Sequence, residues 1–175
     1  MTGPVLRTMT RDDLDRVLEL ELALFGEEAW SRQMLEGELG QQPASRFYLV
    51  AEDDGHILGY AGLLAAASQA DVLTIAVATS HWGRGIGSSL LSELLAEASR
   101  RGCSEVFLEV RIDNLRAQRL YQRWGFTEIG LRRGYYQPSG ADALVMRLDL
   151  ATAVCQRTLA GRLWPFASRR DGGDR

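Results

Sequence analysis

The order of predicted elements indicates one α/β (α+β) domain, built on a mixed, mostly antiparallel sheet of about seven strands flanked by four helices. Three observations lead to this prediction. Apolar segments follow one another in the order β-α-α-β-β-β-α-β-α-β-β. Only the middle of that series has the β-α-β order of a parallel strand pair, so antiparallel strands must lie on both sides of it. The chain has 175 residues, 46% of them hydrophobic, which is enough for one core.

The N-terminal third is predicted to contain a short strand and two helices. The strand lies near residues 5–9 and is followed by Thr10 and Asp13, whose spacing is that of a capping box with Asp in place of Glu or Gln. The first helix therefore runs to about Phe25. The loop after it ends at Ser31, a favourable N-cap for the second helix.

The central part is predicted to form a hairpin, a third strand and a long helix. The segments RFYLVAE and HILGYAGLLAA flank an Asp-Gly pair, which is a strong signal for a tight hairpin turn. The strand of residues 71–77 then leads through a glycine-rich turn into an amphipathic helix that ends near Gly102.

The C-terminal part is predicted to add a strand, a helix and a final strand pair. SEVFLEVR is rich in β-branched and aromatic residues, and the helix after it begins at Asn114 and ends at Gly125. The strands FTEIGLRRGYY and ADALVMRLDL are joined by a turn at residues 137–140. We expect the domain to span residues 1–150, followed by a tail at 151–175 with five Arg and two Asp.

The glycine turn has the layout of a phosphate-binding loop. Gly83, Gly85 and Gly87 lie between a strand and a helix, where backbone N–H groups and the helix dipole can face an anion. A P-loop is excluded because the chain has no Lys. A dinucleotide fingerprint is disfavoured, since the third glycine comes one place early, yet it stays open, as does a turn without a ligand.

Composition excludes several other classes of protein. No segment reaches the roughly 18 apolar residues of a membrane span, and the N-terminus lacks a signal sequence, so we expect a cytoplasmic protein without a membrane partner. Two Cys and two His, all far apart, predict neither a disulfide framework nor a metal site. Residues 10–55 carry twelve acids and four Arg, a local charge of −8 that favours a cationic partner over nucleic acid.

Several segments together resemble one known family. TIAV leading into WGRGIG, then FLEVR, Asn114, LYQRWGF, RRGYY and ADALVM are similar to the GNAT superfamily of acetyl-CoA-dependent N-acetyltransferases. More narrowly, they resemble the bacterial ribosomal-protein-alanine N-acetyltransferases of the RimI type. The resemblance covers roughly residues 4–150. It implies the GNAT fold, in which the parallel strands 4 and 5 splay apart.

The resemblance implies acetyl-CoA as co-substrate and no metal. The pyrophosphate is expected on backbone N–H groups of the glycine turn, and the pantetheine arm beside the preceding strand, with an oxyanion donor near Val77. Asn114 is expected on that arm, although an N-cap role is equally open. The implied cofactor-binding residues are Ile75, Ala76, Val77, Trp82, Gly83, Arg84, Gly85, Ile86, Gly87, Ser88 and Asn114. Trp82 departs from the Gln or Arg that is usual there.

The resemblance also implies Glu109 as general base and Tyr121 as general acid. From the residues alone, Glu109 could be an ordinary glutamate on a polar strand face and Tyr121 an ordinary core aromatic. The candidate contacts of the acceptor are Glu27, Glu28, Trp30, Arg133, Tyr135 and Tyr136. No Ser or Cys has an evident activating base, so we expect direct acetyl transfer without an acyl-enzyme. The acceptor that the resemblance implies is the N-terminal α-amine of a basic protein, namely an N-terminal alanine of a small-subunit ribosomal protein.

Three alternatives remain at this stage. A GNAT enzyme that acts on a small amine or a Lys side chain would share every cofactor residue. A protein that only binds acyl-CoA as a sensor would share the fold. A nicotinamide enzyme would bind NAD in preference to coenzyme A.

Overall fold

The structure, a computed structural model, describes residues 3–153. Its strands are β1 (Val5–Thr8), β2 (Arg46–Asp53), β3 (His56–Ala66), β4 (Gln69–Val77), β5 (Glu105–Arg111), β6 (Thr127–Tyr136) and β7 (Ala141–Asp149). Its α-helices are α1 (Leu14–Phe25), α2 (Arg32–Leu39), α3 (Ile86–Arg100) and α4 (Leu115–Arg123), and short 3-10 turns lie at Arg11–Asp13, Gly26–Glu28 and Thr79–His81.

The strands form one seven-stranded sheet in the order β1-β2-β3-β4-β5-β7-β6. Strands β4 and β5 are parallel, and the other neighbouring strands are antiparallel. The crossover between the parallel strands is α3, as a β-α-β unit requires. The mixed, mostly antiparallel sheet predicted from the sequence is therefore confirmed.

Hydrophobic clusters cover both faces of the sheet. On one face, α3 and α4 pack with four fully buried leucines of α3, namely Leu90, Leu91, Leu94 and Leu95. On the other face, α1 and α2 pack over the buried rings of Tyr48 and Tyr60. Strand β6, at one edge of the sheet, stays largely exposed.

Local signals in the sequence set most element boundaries. The Ser31 hydroxyl accepts a hydrogen bond from the Met34 N–H at 3.2 Å, as an N-cap does. Asp54 and Gly55 both have positive φ (47° and 75°), which is the geometry of a type I′ hairpin turn. The first helix opens with a 3-10 turn, and its α-helical part begins at Leu14, four residues after the predicted N-cap.

The core continues slightly beyond the last strand. Leu150 and Ala153 are buried against it, and the Leu150 N–H donates to the Ser104 carbonyl at 2.9 Å. The rest of the predicted tail, residues 154–175, lies outside the described residues. Among the helices of residues 3–153, none is long and apolar enough to cross a membrane.

Candidate functional site

The parallel strands at the centre of the sheet separate halfway along their length. Residues 69–72 of β4 pair with residues 105–108 of β5, and the pairing ends there. Residues 73–77 of β4 continue beside β3 alone, while residues 109–111 of β5 continue beside β7. A wedge-shaped gap therefore opens between the two strands, as the resemblance implied.

The register of β3 and β4 shows which backbone groups face this gap. The Ala78 N–H donates to the Leu58 carbonyl at 2.8 Å, and hydrogen-bonded residues alternate along an antiparallel pair. The backbone groups of Ala76 therefore point to β3, whereas those of Ile75 and Val77 point into the gap. Ala76 is buried, and its backbone is paired with Tyr60 of β3 rather than turned to the gap.

The glycine turn connects β4 to α3 at the wide end of the gap. Gly83 and Gly85 have φ of 77° and 82°, a conformation that residues with a Cβ rarely adopt. Gly85 is the N-cap of α3, and the first turn of that helix contains no acidic residue. The unpaired N–H groups of the helix start are thus available to an anion.

Trp82 closes the turn against the end of β4. Its indole N–H donates to the Val77 carbonyl at 2.8 Å, and the Arg116 guanidinium lies over its ring at 4.2 Å from the centroid. Residues of β4, the glycine turn and α4 therefore meet at this point. The sequence indicated that Trp82 was unusual, but it gave no sign of these contacts.

Two other residues of the turn have side chains engaged elsewhere. Ile86 is buried in the core, and the Ser88 hydroxyl accepts a hydrogen bond from the Trp124 indole N–H at 3.1 Å. For Gly87, a Cβ would lie 3.5 Å from Leu120, an ordinary contact distance. These predicted residues can therefore serve a ligand mainly through their backbone.

A cavity of about 530 Å³ joins the gap to the surface between the α1–α2 loop and β6. It brings together residues that are distant in the sequence. Its lining includes two predicted cofactor residues, Ile75 and Asn114, and most of the predicted catalytic and acceptor residues, namely Glu27, Glu28, Trp30, Glu109, Tyr121, Tyr135 and Tyr136. Arg133 does not line it.

Glu109 lies on the half-buried face of β5, opposite its fully buried neighbours Leu108 and Val110. Its carboxylate pairs with Arg132 at 3.3 Å, and its backbone carbonyl accepts a hydrogen bond from the Tyr136 hydroxyl at 3.4 Å. Strand parity therefore places this carboxylate as predicted. Its partner Arg132 was not among the predicted site residues.

Tyr121 lies in the C-terminal half of α4 and lines the cavity. Its side chain is 7% exposed and packs edge-on against Phe126, with ring centroids 5.8 Å apart. Burial raises the pKa of Tyr121 well above its ordinary value of 10. The phenol therefore keeps its proton at neutral pH, as a general acid must.

A polar bridge spans the outer part of the cavity. Glu28 of the α1–α2 loop binds Arg111 at 2.6 Å and also accepts a hydrogen bond from the Ser139 hydroxyl in the β6–β7 turn. The bonds from Ser139 and Arg111 lower the pKa of Glu28. A second cavity of about 550 Å³ lies on the outer side of this bridge. Arg111 and Ser139 were not predicted, because only the fold brings them to Glu28.

The buried carboxylate of Glu21, in α1, holds the α1–α2 loop in place. Glu21 is 1% exposed, and it accepts hydrogen bonds from the Tyr60 hydroxyl and from the Trp30 N–H, the latter at 2.9 Å. It shares the buried face of α1 with Leu14 and Val17, at helical spacing. That pattern of one acid on an apolar stripe was a signal in the sequence that the site prediction did not use.

Ion pairs within the protein neutralise much of the negative charge of the N-terminal third. Ion pairs join Asp13 to Arg7, Asp15 to Arg32, and Glu38 to Arg46, with Glu28 held as described. Glu27 lines both cavities and forms no ion pair within residues 3–153. Within the described residues, Glu27 therefore faces the cavities without a cationic partner, in contrast to Glu28. In the same described range, no group of three or more metal-binding side chains could hold a metal ion.

Comparison with known proteins gives one consistent result. The sequence profile of the acetyltransferase (GNAT) family matches residues 14–126. N-alpha-acetyltransferase RimI of Mycobacterium tuberculosis is 42% identical over 154 residues, covering 85% of this chain and 94% of that protein. The ribosomal protein bS18-alanine N-acetyltransferase of Haemophilus ducreyi is 31% identical, covering 83% of this chain and 100% of that protein. The crystal structure of the ribosomal-protein-S18-alanine N-acetyltransferase from Escherichia coli has a TM-score of 0.74 at 27% identity, over 83% of this chain and 93% of that one.

Proposed function

This chain belongs to the acetyltransferase (GNAT) family, and we propose that it transfers acetyl from acetyl-CoA to the N-terminal α-amine of a protein. The observation that carries the proposal is the cavity that holds Glu109 and Tyr121 beside the open edge of β4. Both similar proteins named above as bS18-alanine N-acetyltransferases act on a ribosomal protein. We therefore propose an N-terminal alanine of a small-subunit ribosomal protein as acceptor, modified in the cytoplasm.

The gap between β4 and β5 fits the extended arm of acetyl-CoA. The backbone groups of Ile75 face the gap, where they can pair with the amides of the arm as a neighbouring strand would. The glycine turn then lies where the phosphates need N–H donors. Asn114 caps α4 through its side-chain oxygen, which accepts from the Ala117 N–H at 3.1 Å, so its amide nitrogen is left to donate to the arm. The two roles predicted for Asn114 are thus compatible.

Acetyl-CoA supplies the acetyl group in activated form, as a thioester. Glu109 accepts the proton of the incoming ammonium, directly or through a water, so that the amine can attack the thioester carbon. The Val77 N–H points into the gap, where it can stabilise negative charge on the carbonyl oxygen. Tyr121 gives its proton to the sulfur as the carbon–sulfur bond breaks.

The proton step favours an α-amine over a Lys side chain. An α-ammonium has a pKa of about 8, and a Lys side chain has a pKa of about 10.4. Each unit by which the pKa exceeds the pH adds about 1.4 kcal/mol to the free energy of deprotonation. At pH 7 the α-amine therefore needs about 1.4 kcal/mol to lose its proton, against nearly 5 kcal/mol for Lys. Glu27, whose charge is uncompensated, lies where it can attract the cationic N-terminus.

The test is a mass-spectrometric acetylation assay with acetyl-CoA. It compares a peptide that begins with Ala, the same peptide blocked at its N-terminus but containing Lys, and small free amines. We expect acetylation of the free α-amine alone. Modification of small amines or of Lys instead would contradict the proposed acceptor.

The same assay tests the proposed catalytic residues. Glu109→Gln and Tyr121→Phe should each lower kcat by roughly 100-fold or more, as expected for the loss of a general base or acid. Calorimetry should show that both variants still bind coenzyme A. Unchanged turnover with intact binding would reject both roles and favour a coenzyme A-binding protein without this chemistry, and preferential binding of NAD would reject the cofactor.

A further inference from the structure

The contact between Trp82 and Arg116 brings a cation to an unusual place. Asn114 is the N-cap of α4, so Arg116 occupies the second position of that helix. Cations are unfavourable there, because the start of a helix carries the positive end of its dipole. No acidic residue occupies the first turn of α4 or of α3. Two helix starts and an arginine thus meet with no negative charge among them.

The charge of Arg116 is not compensated elsewhere in the described range. It forms no ion pair with any carboxylate of residues 3–153. Asp113, the acid just before α4, is bound by Arg111 through both oxygens at 3.0 Å. Among the residues that the structure describes, the guanidinium of Arg116 instead lies on the face of the Trp82 ring. Its N–H groups, which lie in the plane of the guanidinium, are therefore open to a ligand.

Trp82 fixes the place of that guanidinium. The indole is 46% exposed, yet its N–H is bonded to the Val77 carbonyl, so the ring cannot turn freely. A ring held in this way presents one face at a constant position beside the turn. The side chain that replaces the Gln or Arg usual at this position therefore binds no anion itself, but it holds an arginine from the next helix where an anion can be bound.

We propose that Arg116, positioned by Trp82, is a ligand of a phosphate group of coenzyme A. The inference rests on the proposed function, because it assumes that coenzyme A lies along the glycine turn. Coenzyme A has a diphosphate and a 3′-phosphate, and a planar guanidinium can bind either one through paired hydrogen bonds. The ion pair would also remove the unfavourable charge at the start of α4.

The experiment measures binding by isothermal titration calorimetry, with coenzyme A and with 3′-dephospho-coenzyme A. Arg116→Ala should weaken the binding of coenzyme A about tenfold, which corresponds to about 1.4 kcal/mol. The matched control is Arg123→Ala, which removes the same charge from the same helix roughly 10 Å away and should change affinity less than twofold. A loss seen only with coenzyme A assigns the 3′-phosphate, and an equal loss with both ligands assigns the diphosphate.

A double variant tests the positioning role of Trp82. Trp82→Ala should weaken binding by a similar factor, and Trp82→Ala with Arg116→Ala should be little weaker than either alone, because both remove the same contact. Additive losses would overturn the positioning role. Thermal unfolding and circular dichroism are measured for each variant, and we expect Arg116→Ala to unfold at the wild-type temperature or higher.

The result that would overturn the inference is wild-type affinity for both ligands in Arg116→Ala. That outcome leaves the proposed function intact, because the wild-type protein would still bind coenzyme A. Failure of the wild-type protein to bind coenzyme A would reject the proposed function as well.

Discussion

Gly59 allows β3 to approach β4 closely, directly behind the part of β4 that faces the gap. In the sheet it is paired with Val77. A Cβ at this position would lie 2.6 Å from the Ala76 carbonyl oxygen and 3.3 Å from side-chain atoms of Val77 and Leu90. We predict that Gly59→Ala destabilises the protein and disturbs the cofactor strand.

The magnitude follows from these distances. The separation of 2.6 Å is 0.8 Å short of the 3.4 Å at which ordinary contact begins, and the atom opposed is backbone, which has no rotamer to change. Such overpacking costs about 1–3 kcal/mol, partly offset by the lower chain entropy of Ala in the unfolded state. For a domain of this size the unfolding temperature should fall by about 2–12 °C.

The assays are thermal unfolding and steady-state acetylation. We expect kcat/KM for the α-amine peptide to fall more than tenfold, since displacement of a strand that positions the reacting group is costly. The control is Gly37→Ala in α2, where a Cβ would have no neighbour within 4 Å. It should stabilise the protein by about 0.5–1 kcal/mol and leave turnover unchanged. If Gly59→Ala unfolds and turns over like wild type, the reasoning about this contact is wrong.

Two further predictions concern the buried carboxylate and the cap of α4. Burial raises the pKa of Glu21 above its ordinary 4.5, so the folded state binds this proton more tightly than the unfolded state. Wild type should therefore lose stability relative to Glu21→Gln as the pH rises above 4.5, and a difference in urea unfolding that does not vary with pH would refute this. Asn114→Asp should keep the bond to the Ala117 N–H and the unfolding temperature, but bind coenzyme A several-fold more weakly because the amide donor is lost. Unchanged affinity would limit Asn114 to capping.

The fold was predictable because local and periodic signals agree along the chain. The Ser31 and Asn114 caps, the Asp-Gly turn and the alternation of β5 each appear in the structure as predicted. The order of elements then allowed few sheet topologies, because a single β-α-β unit among antiparallel strands shows which two strands are parallel. The position of the gap between β4 and β5 came from the family resemblance, because sequence periodicity does not show where two strands stop pairing.

The site was predicted only in part. Glu109 and Tyr121, which the family resemblance implied as base and acid, line one cavity, whereas strand parity and helix periodicity alone fitted an ordinary glutamate and a core aromatic equally well. Arg133 does not line the cavity, and its contact with the acceptor stays a prediction. Irregularities in β6 between Glu128 and Gly130 and after Arg132 interrupt the alternation of that strand, and sequence parity cannot detect such a bulge. The arginine that pairs with Glu109 is Arg132, a contact that only the folded sheet shows.

The parting of β4 from β5 has a mechanical consequence for the whole domain. Within residues 3–153 the parallel pairing of β4 with β5 comprises four residue pairs, so β1–β4 and β5–β7 form two half-sheets held by a short seam and by the shared core beneath α3. An extended ligand lying in the gap would lengthen that seam from both sides. Bound coenzyme A would then make the two half-sheets unfold more cooperatively. Without the ligand, the two half-sheets should move more independently of each other.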